Sequence, residues 1–207
     1  MIYVYKTAYM LEKGEHQYHK EHQIGRMLLQ KGLKKWYGVE LSEQELEDKL
    51  EKDKCGKPRF KGQDVICFNI SHCDGVVVCA FSNQEIGIDV EKIQDVTQSM
   101  LKKILTENEQ KILSKYENDE EEYNKLFYKF WTFKGSYLKW EGSGFYKDPL
   151  QVEVETYNFE KNYEQFAECS DPDAKMIQWL SEDEYIFSVC IGKNEQEQII
   201  YEEYKEG

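Results

Sequence analysis

The sequence is short of positive charge, of arginine, of paired cysteines and of long apolar runs, and each shortage narrows what the chain can do. Against 40 acidic residues stand 27 lysines and arginines, for a formal net charge of -13. Such a balance repels phosphate backbones, which argues against nucleic acid as a partner and requires any anionic ligand to meet a local basic cluster. Arginine is confined to Arg26 and Arg59, each a candidate for the forked phosphate contact that lysine supplies less well. The six cysteines, Cys55, Cys67, Cys73, Cys79, Cys169 and Cys190, include no CxxC pair, and several lie in apolar, strand-like runs. They read as reduced core thiols. No run approaches the ~20 apolar residues of a membrane span, and the opening MIYVYKTAYM is too short and polar for a secretory signal. The expectation is a cytoplasmic protein with no membrane partner.

What the chain does have is material for a core, 40% hydrophobic and 14% aromatic residues, arranged with clear periodicity. A first strand is followed by a helix over residues 15–36 that carries Arg26 and stops at Gly38. Ser42 with Glu45 three residues on predicts a capped second helix over residues 41–53. His16, His19 and His22 are spread around the first helix by its angular steps, so they do not form a metal site. Residues 66–91 read as a three-strand meander: ICFNISH, a hairpin turn at Asp74-Gly75, VVVCAF, then EIGIDVE. Strands one and three of a meander run the same way, so Ser71 and His72 are expected at the same end as Asp89 and Glu91. Within GIDVEK, Ile86, Ile88 and Val90 alternate with Gly87, Asp89 and Glu91. The two carboxylates then lie on one face roughly 6.5 to 7 Å apart, within reach of one hard cation. A solvated strand face at a sheet edge has the same pattern.

Beyond Lys92 the apolar residues Met100, Leu101, Ile104, Leu105, Ile112 and Leu113 predict helices, and Asn118 to Glu122 is a charge run at a loop or helix start. A long helix over residues 123–140 follows, ended by Gly142 and Gly144. QVEVET, MIQWL and EYIFSVCIG give strands for a second antiparallel sheet. The fold expected is α+β: two similar halves, residues 1–85 and 86–207, with antiparallel sheets and packed helices related by pseudo-two-fold symmetry, and a site in the cleft between them.

Four motifs occur in order: GKP at Gly56 to Pro58, FNISH at Phe68 to His72, GIDVEK at Gly87 to Lys92 and WTFKGSYLK at Trp131 to Lys139. In these the chain resembles the 4′-phosphopantetheinyl transferases, specifically the larger single-chain type with two pseudo-symmetric halves. The resemblance runs from about Arg26 to Pro149 and fades in the C-terminal strands. It implies that coenzyme A lies in the cleft, with Mg2+ or Mn2+ bridging its pyrophosphate to acidic side chains. A serine of an apo acyl- or peptidyl-carrier protein then attacks the β-phosphate and 3′,5′-ADP leaves, in fatty acid, polyketide or nonribosomal peptide biosynthesis.

Carried over by motif, Asp89 and Glu91 match the metal carboxylates, and Lys57, beside Pro58, the lysine that reaches the nucleotide. Ser71 and His72 match the pair that meets the coenzyme A phosphates and ribose, and Lys139 a phosphate contact and proton acceptor. Arg26 and Arg59 would add nucleotide-phosphate contacts. Lys134, which interrupts an apolar stripe, needs a partner or snorkels to the cleft. Two halves in one chain imply a monomer. Met100, Leu101, Ile104 and Leu105 are candidates for docking the carrier, and Lys102, Lys103 and Lys111 for attracting its acidic surface.

The motif departs from the family at Gly135, where a glutamate is expected as third metal ligand or base. Water could complete the metal shell, or Glu141 or Glu109 could substitute. Otherwise the chain is a non-catalytic or weakly active binder of coenzyme A or carrier protein.

Overall fold

A computed structural model of the chain describes residues 1–62, 65–155, 165–194 and 198–205. Two sheets, each with a long helix on its outer face, share a core between them. The first has the order β11-β1-β5-β4, built from Ile199–Glu203, Ile2–Ala8, Val76–Ser82 and Cys67–Cys73. The second has the order β6-β10-β9-β8-β7, built from Gly87–Lys92, Tyr185–Gly192, Ala174–Leu180, Gln165–Cys169 and Val154–Glu155. A short ribbon joins β2, Leu50–Lys52, to β3, Pro58–Phe60. The helices are α1, Gln17–Tyr37; α2, Glu43–Lys49; α3, Gln98–Ile104; α4, Glu107–Leu113; and α5, Glu120–Glu141. This is the α+β architecture expected. The boundary at 85/86 falls in the connection from β5 to β6, while β11, from the far end of the chain, lies parallel to β1 in the first sheet.

Local signals set the helix ends. The Ser42 hydroxyl accepts from the Glu45 N–H while the Glu45 carboxylate accepts from the Ser42 N–H, a reciprocal cap on α2. Gly38 and Gly142 end α1 and α5 in the left-handed conformation (φ 66° and 81°). The acidic run at residues 118–122 proves to be a helix start: Asp119 caps α5, and Glu120, Glu121 and Glu122 lie in its first turn, where the helix dipole favours negative charge. The second helix is shorter than expected. Leu50 is buried opposite Phe60 in the β2–β3 ribbon, and that pairing takes the chain out of the helix.

Each core region has an identifiable face. Leu28, Leu29 and Leu33 of α1 pack against Tyr5, Val77, Cys79 and Phe81. Phe127, Phe130, Phe133 and Tyr137 of α5 pack on the second sheet with Met176 and Ile186. Between the sheets Val4, Val78, Ile88, Val90, Phe187 and Val189 form a third buried group. Cys79, Cys169 and Cys190 are buried in these cores, whereas Cys55 is exposed. Among the described residues no helix is long and apolar enough to cross a membrane.

The meander does not form as expected. β5 is hydrogen-bonded on one side to β1 and on the other to β4, so neither edge is open to a third neighbour. β6 instead pairs antiparallel with β10, at the edge of the second sheet. It lies beside β4, the edge of the first sheet, and the Asn69 side-chain carbonyl accepts from the Ile88 N–H across the seam at 3.0 Å. The two sheets therefore meet along FNISH and GIDVEK.

Candidate active site

At that seam three polar side chains from three elements converge. The Ser71 hydroxyl on β4 donates to Oδ1 of Asp89 on β6 at 3.0 Å. Nζ of Lys139 on α5 donates to the same Oδ1 at 2.7 Å and to Ser71 Oγ at 2.6 Å. Ser71 and Asp89 are only 3% and 6% exposed, so their mutual satisfaction offsets the cost of burying them.

Two glycines bring α5 this close. A Cβ on Gly87 would stand 2.0 Å from the Ser136 carbonyl oxygen and 2.4 Å from the Trp140 nitrogen. A Cβ on Gly135 would stand 2.2 Å from Oδ2 of Asp89 and 2.6 Å from its Cγ. Glycine inside a helix costs about 0.5–1 kcal/mol relative to alanine, and here it makes room for the carboxylate.

Glu91, next along the same face of β6, has its pKa pushed up to about 8, by burial first and by the Asp89 charge second, with Lys139 acting against both. Two carboxylates on one strand face are a donor set suited to a hard divalent cation. They are a pair only: among the described residues no group of three or more His, Cys, Asp or Glu side chains is placed to hold a metal. The suggested replacements for a carboxylate at 135 are engaged elsewhere. Glu141 binds Lys147 and Ser143. Glu109 is buried, accepting from the Thr106 and Val154 N–H groups and pairing with Lys134.

The remaining expected residues divide. His72 follows Ser71, and its Nδ1 lies 2.9 Å from Oε2 of Glu21. Burial is the largest cause holding its pKa below the usual value; Lys139 and His22 add to this, while Glu21 and Asp89 oppose it. Lys57 sits at the other end of β6, where Nζ donates to Glu85, to the Ile86 carbonyl and to the Trp140 carbonyl at 2.6, 3.2 and 3.3 Å. Together with Pro58, Arg59, Phe68 and Trp140 it lines a cleft of about 220 Å³. Arg59 there is ion-paired with Asp53. Arg26 lies elsewhere, in a groove between α1, α2 and the end of β1, paired with Glu47 at 2.7 Å. Lys134 is 1% exposed; Nζ meets Glu109, the Ile104 carbonyl and the Pro149 carbonyl at 2.6, 2.7 and 3.2 Å. It neither snorkels nor reaches the seam. Sequence reasoning passed over Glu21 and its partner Tyr9, because no short-range pattern ties either to His72.

Comparison with known proteins bears on the same stretch. The family model of the 4'-phosphopantetheinyl transferase superfamily matches residues 85–190, just over half of the chain. The chain is 32% identical to 4'-phosphopantetheinyl transferase Sfp of Bacillus subtilis (strain 168) over 137 residues, 64% of this chain and 58% of that protein. It is 38% identical to 4'-phosphopantetheinyl transferase gsp of Aneurinibacillus migulanus over 115 residues, 55% of this chain and 44% of that protein. A further 4'-phosphopantetheinyl transferase of Bacillus subtilis is 28% identical over 192 residues, 89% of this chain and 81% of its own length. The chain thus spans about half the length of the first two of these relatives. The matched region carries Asp89, Glu91, Gly135 and Lys139, and the chain belongs to the 4'-phosphopantetheinyl transferase superfamily.

Proposed function

We propose that this chain transfers the 4′-phosphopantetheine group of coenzyme A to a serine of an apo acyl- or peptidyl-carrier protein, releasing 3′,5′-ADP. It would act as a cytoplasmic monomer of the larger single-chain type, with residues 1–85 and 86–207 as its halves. The observation that carries this reading is the Ser71–Asp89–Lys139 cluster at the seam of the two sheets, which lies on the motifs shared with the family.

The chemistry fits the side chains. Transfer of a phosphoryl-type group depends on positioning and on neutralising charge that spreads over the non-bridging oxygens. Lys139 and His72 present cationic or N–H groups for the pyrophosphate, while the Ser71 hydroxyl donates to Asp89. Asp89 and Glu91 would hold Mg2+ or Mn2+, whose charge when bound offsets that of the pyrophosphate. The cleft at Lys57, Pro58 and Arg59, at the other end of β6, offers the donor nucleotide a neighbouring site. On α3 and α4 the exposed Lys102, Lys103 and Lys111 give an acidic carrier local attraction, while Leu101 and Leu105 belong to the core.

Gly135 favours a second reading, a coenzyme A or carrier binder with little or no transfer, because no third carboxylate joins Asp89 and Glu91 among the described residues. One experiment separates the two. The protein is incubated with coenzyme A, Mg2+ and a panel of apo-carriers, and carrier mass is followed. A phosphopantetheine mass gain that disappears in Asp89→Ala supports the enzyme. Coenzyme A binding without any gain supports the binder.

A further inference from the structure

Near the start of α1 a buried carboxylate reaches the site from outside the family's motifs. Glu21 is 4% exposed. Its Oε1 accepts from the Tyr9 hydroxyl at 2.5 Å and from the Gln17 amide at 2.9 Å, and its Oε2 lies 2.9 Å from Nδ1 of His72. Burial and Glu21 together raise the pKa of the Tyr9 hydroxyl, so that it keeps its proton and remains a donor. His72 itself is exposed, its side chain 43% accessible. The ring is also faced by His22 on α1, Asp89 on β6 and Lys139 on α5.

We propose that Glu21 is a positioning residue for the donor site: it accepts the Nδ1–H hydrogen bond of His72, fixing the ring's tautomer and orientation, so that Nε2, once protonated, donates to an anionic oxygen of a phosphate-bearing donor. The inference rests on the functional reading above. A neutral imidazole has one N–H, and a carboxylate at 2.9 Å from Nδ1 requires the proton there. Nε2 is then the titrating edge, and a proton added to it becomes a donor pointed at the anion. Burial is the largest cause opposing that imidazolium, and Lys139 and His22 add to it; the Glu21 charge is the strongest cause in its favour, with Asp89 acting the same way. Anion and proton are thus bound at one atom, and the residue that makes this so touches neither.

Glu21→Gln tests the arrangement because it keeps the shape and reverses one bond. Oε1 already accepts from Tyr9 and Gln17, so the amide oxygen belongs on that side and its NH2 faces Nδ1. The neutral ring should then carry its proton on Nε2. In the full chain labelled with 15N-histidine, the expected result is the Nδ1–H tautomer of His72 in the wild type and the Nε2–H tautomer in Glu21→Gln. Coenzyme A affinity should fall about tenfold in Glu21→Gln, and in a His72→Ala background the same change should have less than about a twofold effect.

An Nε2–H tautomer in the wild type, an unchanged affinity in Glu21→Gln, or a loss that persists undiminished without His72 would each overturn the proposal, the last by revealing a purely structural role. Where Glu21→Gln fails to fold, the wild-type tautomer decides alone. A wild type that binds no coenzyme A overturns the functional reading and the donor-site role with it, while the tautomer still decides whether Glu21 clamps the ring.

Discussion

Gly135 and Asp89 share one space: a Cβ on the glycine would fall 2.2 Å from Oδ2 of the carboxylate. The departure from the family motif and the position of its first acidic residue are therefore a single structural fact. Any side chain at 135 has to turn Asp89 away from its present place, because the carboxylate is the nearest thing it meets. Asp89 is short, so turning it means giving up Lys139 and Ser71.

Gly135→Ala should accordingly destabilise the protein by about 1–3 kcal/mol, the usual range for overpacking a filled site, although alanine is the better helix former by about 0.5–1 kcal/mol. Urea unfolding measures the difference. A variant as stable as the wild type would show that Asp89 yields the space at no cost.

Gly135→Glu follows from the same contact, with a functional readout. On the proposed function, the incoming carboxylate cannot enter beside an undisturbed Asp89, so transfer should fall instead of rising. The expected loss is about 10²-fold, toward the lower end of what removing one proton-transfer or ligand group costs. Carrier mass gain over time is the measurement, and an increase in rate would show that Asp89 reorients productively.

Glu91 and His72 set opposite pH dependences of stability. Glu91 has its folded pKa raised to about 8 by burial and by Asp89, so its contribution is fully present below its unfolded pKa and is lost as pH rises through 8. His72 has its folded pKa lowered, chiefly by burial; its contribution is present above the unfolded value and is lost as pH falls through the folded one. In metal-free buffer the melting temperature should therefore decline as pH rises from the unfolded pKa of Glu91 toward 8, and Glu91→Gln should flatten that decline while leaving the opposing His72 limb. Added Mg2+ should also flatten it, because a bound cation favours the ionised pair. A decline unchanged in Glu91→Gln would place its cause in another group.

What could be read in advance followed from how local each signal is. The Ser42–Glu45 cap, the stops at Gly38 and Gly142 and the apolar stripe of α5 are written within a few residues of where they act. The alternation of Ile86, Ile88 and Val90 was equally legible, but it states which face is buried and not which strand lies alongside. The partner is β10, far along the chain, and β6 is excluded from β5 because both edges of that strand are taken. Ser71, Asp89 and Lys139 were found through their motifs, and the structure brings them together by a seam between sheets instead of a meander. Glu21 was illegible because its link to His72 exists only once α1 crosses the end of β4. Lys134 shows the opposite case, since the sequence left it either a partner or a reach into the cleft, and its neighbours in space, Glu109 and two carbonyls, supply the partner.

The Lys134–Glu109 pair decides between these two meanings of a motif lysine. Burial lowers the pKa of Lys134, and Glu109 opposes that shift. Replacing Lys134 with methionine preserves most of the volume but leaves the Glu109 charge buried with the Thr106 and Val154 N–H groups as its remaining donors. A loss of about 3–5 kcal/mol is expected, the range for breaking a buried pair from one side. Adding Glu109→Gln should recover part of it, because the glutamine still accepts from one backbone N–H and no charge is stranded. Urea unfolding of the single and double variants gives both numbers. At a temperature where each is folded, coenzyme A affinity should stay within about twofold of wild type, since Nζ of Lys134 is engaged by Glu109 and the Ile104 and Pro149 carbonyls, away from the Ser71–Asp89–Lys139 cluster. A selective loss of coenzyme A binding in stably folded Lys134→Met would give that lysine the cleft role instead.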